Sequence, residues 1–346
     1  MADPRWKAGC ERPSDLVVPV RVDPGGKSGP TKRQASGSRF RQTSPGLYVP
    51  ASVNSGRVEQ RILEQGSRIR SYGAVTGWAA LRWRGAAYFD GTADGGRVTL
   101  PVPLVVGRNR LASDPRVVLS EAHIAPSERT QTGGIWCATV QRALFDEMRH
   151  AVDVRAAVVA MDMAAAGCLI SVRLMTKYVE LRPAWTGVPL VRQALALASN
   201  DSCSPRETRL RLIWVLDAGL DPPLCNRPVF DLAGNLLGYP DMFDPEAGMI
   251  GEYDGADHKD GERHQADVER EARYRDHGLE YFAVVGGDMR RRQLVVDRIQ
   301  STRRRALFLP PDQRNWTLEI PAWWDVGDDL DRHLIRTQEA AYLIRD

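Results

Sequence analysis

Three carboxylates, Asp241, Glu252 and Asp254, lie in one short stretch, NLLGYPDMFDPEAGMIGEYDGADH over 235–258. The apolar segments Leu236–Phe243 and Met249–Tyr253 read as two strands. Asp244-Pro245-Glu246-Ala247-Gly248 between them has the composition of a hairpin loop. Folding about Glu246 sets Asp241 opposite the Gly251/Glu252 end of the second strand. Period-two alternation places Glu252 and Asp254 on one face. Two carboxylates about 4 Å apart repel by roughly 4 kcal/mol at an effective dielectric near 20. A chain that gathers three must protonate one, pair one with a base, or bind a cation. Mg²⁺ or Mn²⁺, hard ions with oxygen ligands, are the natural neutralisers.

The elements that would position these acids begin at Ser204. Ser204-Pro205-Arg206-Glu207 reads as a helix start, with Ser204 as N-cap, Pro205 at the first helical position and Glu207 closing a capping box. That helix runs to about Asp217, ends at Gly219 and is kept from resuming by Pro222 and Pro223. A strand near Val229–Leu232 and a turn at Ala233-Gly234-Asn235 lead into the acidic hairpin. A charged helix over Glu262–His277 follows, closed by Gly278, then the apolar strand Glu280–Val285 and a basic helix Arg290–Leu307. The order is helix, three strands, helix, strand, with a helix appended.

The chain has 346 residues, enough for two domains, and a formal net charge of +3, so affinity for nucleic acid would need local basic patches. Its five cysteines, Cys10, Cys137, Cys168, Cys203 and Cys225, show no CxxC spacing, which speaks for a reducing compartment and against a zinc site. No apolar run approaches about eighteen residues, and the first residues lack the apolar core of a secretory signal. A cytoplasmic protein without membrane contact is expected. Residues 1–42 read as a mobile basic arm, apart from Leu16–Val22, which has the composition of one strand. Residues 43–200 read as a mostly helical domain with a few short strands: helices over Arg57–Ile69, Ala74–Trp83, Ala138–His150, Asp153–Ala165, Ser171–Leu181 and Val188–Ser199, and extended segments at Arg97–Val106 and Arg116–Leu119. Residues 310–346 form a tail with Trp316, Trp323 and Trp324, expected to dock on the chain or on a partner protein.

Pro240-Asp241, ten intervening residues, then Glu252-Tyr253-Asp254, set in that element order, resembles the PD-(D/E)XK nuclease superfamily, with Asp254 where a Lys is usual. Glu252-x-Asp254-Gly255-x-x-His258, with Asp267 and Arg270 on the next helix, looks like the branch related to very-short-patch-repair endonucleases, found in actinobacterial proteins. The likeness covers about 199–307. SPGLYVP, GAVTGWAALRWRGA and TVQRALFDEMRH, within 43–198, are similar to the region preceding this domain in AbiEi-like proteins.

The resemblance implies an α/β fold with a mixed-sheet αβββαβ restriction-endonuclease-like core over 201–309. It implies Mg²⁺ or Mn²⁺ held by Asp241 and Glu252, with Glu207 completing the site unless its carboxylate is spent on the capping box. Asp254 and His258 would take over the work of the missing Lys, with Lys259 as a lesser candidate. Arg270 either pairs with Asp267 along its helix or faces the site and contacts phosphate. Arg290, Arg291 and Arg292, with Arg298 and Arg303–Arg305, either follow a DNA backbone or form a solvated helix face. The expected activity is metal-dependent DNA endonuclease or nickase in repair, restriction or phage defence. The alternative is an inactive, DNA-binding AbiEi-like transcriptional regulator or antitoxin.

Overall fold

The computed structural model describes residues 10–69, 72–93, 95–107, 111–112, 114–255, 261–324 and 329–343, with the backbone alone for 261–267 and 337–343. Over these residues the chain is mixed α/β, with eleven α-helices and five sheets of two to five strands. No helix among them is long and apolar enough to cross a membrane. Two compact units are present, one of residues 8–160 and 167–193, the other including 161–166 and 194–346.

The second unit carries the acids. In chain order its elements are α1 (Pro205–Leu216), β1 (Val229–Asp231), β2 (Leu236–Gly238), β3 (Met242–Asp244), β4 (Met249–Asp254), α2 (Gly261–Asp276), β5 (Glu280–Val285), α3 (Arg292–Arg305), β6 (Trp316–Thr317) and α4 (Leu330–Leu343). β3 and β4 form the expected antiparallel hairpin, with Met242 opposite Gly251 and Asp244 opposite Met249. Its loop is closed by Gly248 at φ +72°, a conformation glycine adopts without steric cost, and by the Asp244 carboxylate, which accepts the Glu246 and Ala247 amides. β5 lies parallel to β4, with Glu252 level with Ala283, and α2 supplies the crossover.

Alternation along these strands divides the core into two layers. Met242, Met249, Phe282 and Val284 pack with Leu210, Ile213 and Trp214 of α1 and Val295, Val296 and Ile299 of α3. Phe243, Ile250 and Tyr281 pack with Tyr274 of α2, Leu237 of β2 and Trp316 of β6. The sheet is thus covered on both faces, as the near-continuous apolar run of β5 requires. Gly251 fits this packing because the Phe282 ring lies where a Cβ would project.

The expected single strand Leu236–Phe243 is broken at Tyr239-Pro240-Asp241. Pro240 has no N–H for a ladder, and its carbonyl accepts the Asn226 amide at 2.9 Å. β2 therefore stays with β1, which also pairs with β6, while β3 joins β4. The chain changes sheets at the corner where Asp241 sits. On the other side of β3, Leu224 and Phe243 exchange backbone hydrogen bonds.

α1 is anchored below its first turn. Arg211 meets Asp162 at 2.5 Å, and both side chains are almost fully buried. Thr208 Oγ1 and the Ser199 amide also donate to that carboxylate, at 2.9 and 2.8 Å.

The other unit is less helical than the sequence suggests. Its five-stranded sheet has the order Val117–Ser120, Val102–Val105, Ala74–Val75, Ile135–Ala138, Arg129–Thr132. The helix expected over Ala74–Trp83 begins only at Gly77, because Ala74–Val75 is taken by the sheet. Helices at Val58–Gly66, Val140–Arg149, Val154–Ala166, Val172–Glu180 and Val188–Leu197 lie where periodicity places them. In the segment expected as a loose arm, Val20 bridges to Tyr48, Thr31 caps a turn at Lys32–Ala35, and Phe40–Ser44 pairs with Leu47–Pro50. In the tail, Trp316 packs edge-on against Phe243 at 5.0 Å and Trp324 against Phe230 at 5.3 Å, while Trp323 stays exposed.

Arg211→Met, which strands the Asp162 charge in the interior, is expected to lower unfolding free energy by about 3–5 kcal/mol. The double variant Asp162→Leu/Arg211→Met should recover much of that loss. Urea denaturation of the three proteins checks both statements.

Candidate active site

Asp241 sits half-buried at the sheet-switching corner. Its Oδ2 accepts the Tyr253 amide at 2.7 Å. Its carboxyl is pushed well above the usual carboxylate range, first by burial, then by the charges of Glu207 and Glu252; the Tyr253 N–H and Arg270 act in the opposite direction. Three acids that the sequence places on separate elements therefore share one electrostatic site.

Glu207 is held there by α1. Ser204 Oγ accepts the Glu207 amide at 3.2 Å, fixing the first turn. The Glu207 carboxylate does not return to the Ser204 amide to close a capping box. Its Oε2 accepts the Cys203 amide at 2.9 Å and Asn226 Nδ2 at 3.0 Å. One residue thus orders the chain before the helix and still lies near enough to Asp241 to raise it.

Glu252 projects from β4 on the face covered by α2. Its Oε2 meets Arg270 at 2.6 Å and accepts the Tyr281 hydroxyl at 3.4 Å. Arg270 faces the acids, as one of its two expected orientations has it. Asp254 ends β4 level with Val285, two residues on from Glu252 and on the same face by strand parity. His258 and Lys259 lie outside the described residues, as does the side chain of Asp267.

Among the described residues no three His, Cys, Asp or Glu side chains stand at the spacing needed to ligate one metal ion together. The donor set itself, three carboxylates of which Asp241 is raised by burial and then by the charges of the other two, has the charge and the oxygen chemistry that a hard divalent cation relieves. Here the acids are held by the Tyr253 amide, by the Cys203 amide and Asn226, and by Arg270. Arg270 engages Glu252 through its Oε2, and joint ligation requires the three acids to approach one another more closely.

The C-terminal arginines are largely committed within the protein. Arg291 and Arg298 pair with Asp288, Arg292 with Asp217, Arg303 with Asp244 and Glu246, and Arg305 with Glu280. Arg290 and Arg304 are exposed. Arg291, Arg292 and Arg305 are more than half exposed despite these pairs.

Sequence reasoning missed Asn226. It is buried, with φ +49°, and its amide N–H donates to the Pro240 carbonyl. Its Nδ2 donates to the Asp201 carbonyl at 2.7 Å and to Glu207. One side chain thus ties Glu207 to the corner that presents Asp241. Asn is among the few residues that enter the left-handed region readily, and an Asn shortly after Pro222-Pro223 was the available signal.

No protein family, no curated protein and no solved structure matches this chain.

Because the folded-state pKa of Asp241 is raised, its ionisation opposes folding. The penalty sets in as pH rises past the ordinary carboxylate range and is complete above the raised value. Asp241→Asn keeps an acceptor for the Tyr253 amide and carries no charge. In chelator at neutral pH it is expected to raise the thermal midpoint by a few degrees, with the gain shrinking on acidification. Thermal melts across pH check this.

Proposed function

We propose that this chain is a Mg²⁺- or Mn²⁺-dependent DNA endonuclease or nickase whose site is built on a restriction-endonuclease-like αβββαβ core, preceded by an AbiEi-like region. The observation that carries this reading is the placement of Asp241 on the corner beside β4, where its carboxylate accepts the Tyr253 amide and where burial first, then the charges of Glu207 and Glu252, push it up. Helix α1, the β3–β4 hairpin, crossover helix α2 and parallel strand β5 support this reading, although four strands in two sheets stand between α1 and α2 where the motif has three.

Asp241, Glu252 and Glu207 would hold the cation. When bound, the ion would polarise a phosphodiester and lower the pKa of an attacking water. The protein's own contribution is positional. The Tyr253 amide fixes Asp241, Asn226 fixes Glu207, and Arg270 holds Glu252 while neutralising part of the cluster. Released from Glu252, Arg270 would serve as a phosphate contact. Asp254 and His258 fill the general acid–base and water-positioning roles, since a Lys is absent from the motif position.

A second reading is an inactive DNA-binding regulator or antitoxin. Two observations favour it: Asp254 at the Lys position, and a Glu252 carboxylate engaged by Arg270. Incubation of the purified protein with supercoiled and branched DNA separates the two. Nicking or cleavage that requires Mg²⁺ or Mn²⁺ and falls at least about 100-fold in Asp241→Ala and Glu252→Gln supports the nuclease. Equal cleavage by those variants, or binding without cleavage under every metal condition, removes it.

A further inference from the structure

We infer that the nucleic-acid face of this protein is the outer rim of α1 and the loop beside it, formed by Arg206, Arg209 and Arg227, and that it receives the phosphodiester backbone of duplex DNA. This rests on the nuclease-site reading only for the choice of DNA among polyanions.

Position supports the assignment. Arg206 precedes Glu207 in the first turn of α1, and its guanidinium lies over the Tyr253 ring, 5.5 Å from the centroid. Tyr253 is the residue whose amide holds Asp241. Arg206 Nη1 also lies 3.8 Å from the point where a side chain on Gly255 would begin, beside the end of β4. Arg209 stands one turn further along α1 and is exposed, as Arg206 is. Arg227 follows Asn226, whose side chain holds Glu207 and whose amide holds the Pro240 carbonyl. The three cations are thus joined, through one residue each or through one helical turn, to the groups that present the acids.

Charge disposition supports it further. Of the seven arginines between 290 and 305, five are engaged with acids, and Arg290 and Arg304 are exposed. Arg209 and Arg227 are exposed and, among the described residues, paired with no acid. Exposed cations around buried acids suit a ligand that offers phosphates to the rim and one phosphodiester to the interior.

The test is fluorescence anisotropy of a labelled short DNA duplex with the full chain in chelator, where binding is read without cleavage. Arg206→Gln, Arg209→Gln and Arg227→Gln should each weaken binding by about 3–10-fold, and together flatten the salt dependence by roughly three phosphate contacts. Arg206→Lys, which keeps the charge, should bind within about threefold of the parent. Arg291→Gln/Arg292→Gln should leave affinity within about twofold. The inference is overturned if the triple variant binds like the parent, if the Arg291/Arg292 pair is the costlier change, if the parent binds no DNA, or if polyglutamate competes as well as unlabelled DNA. Rim-dependent binding together with cleavage indifferent to Asp241→Ala would leave this inference standing and remove the nuclease reading. Asp241-dependent cleavage with rim-independent binding would do the reverse.

Discussion

Like-charge crowding at Asp241 is the constraint around which the C-terminal unit is arranged. A buried carboxyl flanked by two more acids is unfavourable by itself, so the surrounding chain must hold it in place. A backbone amide from β4 grips Asp241, an asparagine in left-handed backbone grips Glu207, and an arginine from the crossover helix grips Glu252. The Asp162–Arg211 pair fixes the helix that carries Glu207. Each contact offsets part of the repulsion and fixes one acid relative to the others. Stability given up at a cluster of this kind is characteristic of functional positions.

The corner at Tyr239-Pro240-Asp241 explains how a short sequence element produces this geometry. A continuous strand would have delivered Asp241 as one more alternating residue on a ladder. Pro240 interrupts the ladder, the chain passes from the β1–β2 pair to the β3–β4 pair, and Asp241 comes to lie where Tyr253's amide can reach it. The same proline offers its carbonyl to Asn226, which brings Glu207 to the same corner. Pro240 therefore organises two of the three acids without touching chemistry itself.

Much of this unit was legible in the sequence because its signals are local. Period-two alternation set the face of β4, the unbroken apolar run of β5 marked an interior strand, the Asp-Pro-Glu-Ala-Gly loop set the hairpin register, and Ser204-Pro205 set the start of α1. The partners of those elements were not legible, because they depend on residues far apart in the chain. Arg270 reaches Glu252 across the crossover and Asn226 reaches Glu207 across a loop, and neither separation follows a short-range period. In the other unit, Ala74–Val75 reads as helix by composition but lies in the middle of a sheet, where tertiary pairing overrides propensity. The hairpin Arg129–Ala138 was missed although Gly133-Gly134, both at positive φ, form the kind of two-residue turn that marks one.

The central claim is that Asp241, Glu252 and Glu207 form one cation site. Anomalous scattering from crystals soaked in Mn²⁺ tests it most directly. A peak within about 2.0–2.6 Å of oxygens from Asp241 and Glu252, with Glu207 as third ligand, is the predicted result. A Mn²⁺ peak elsewhere in the molecule, with no density between the acids, would contradict it.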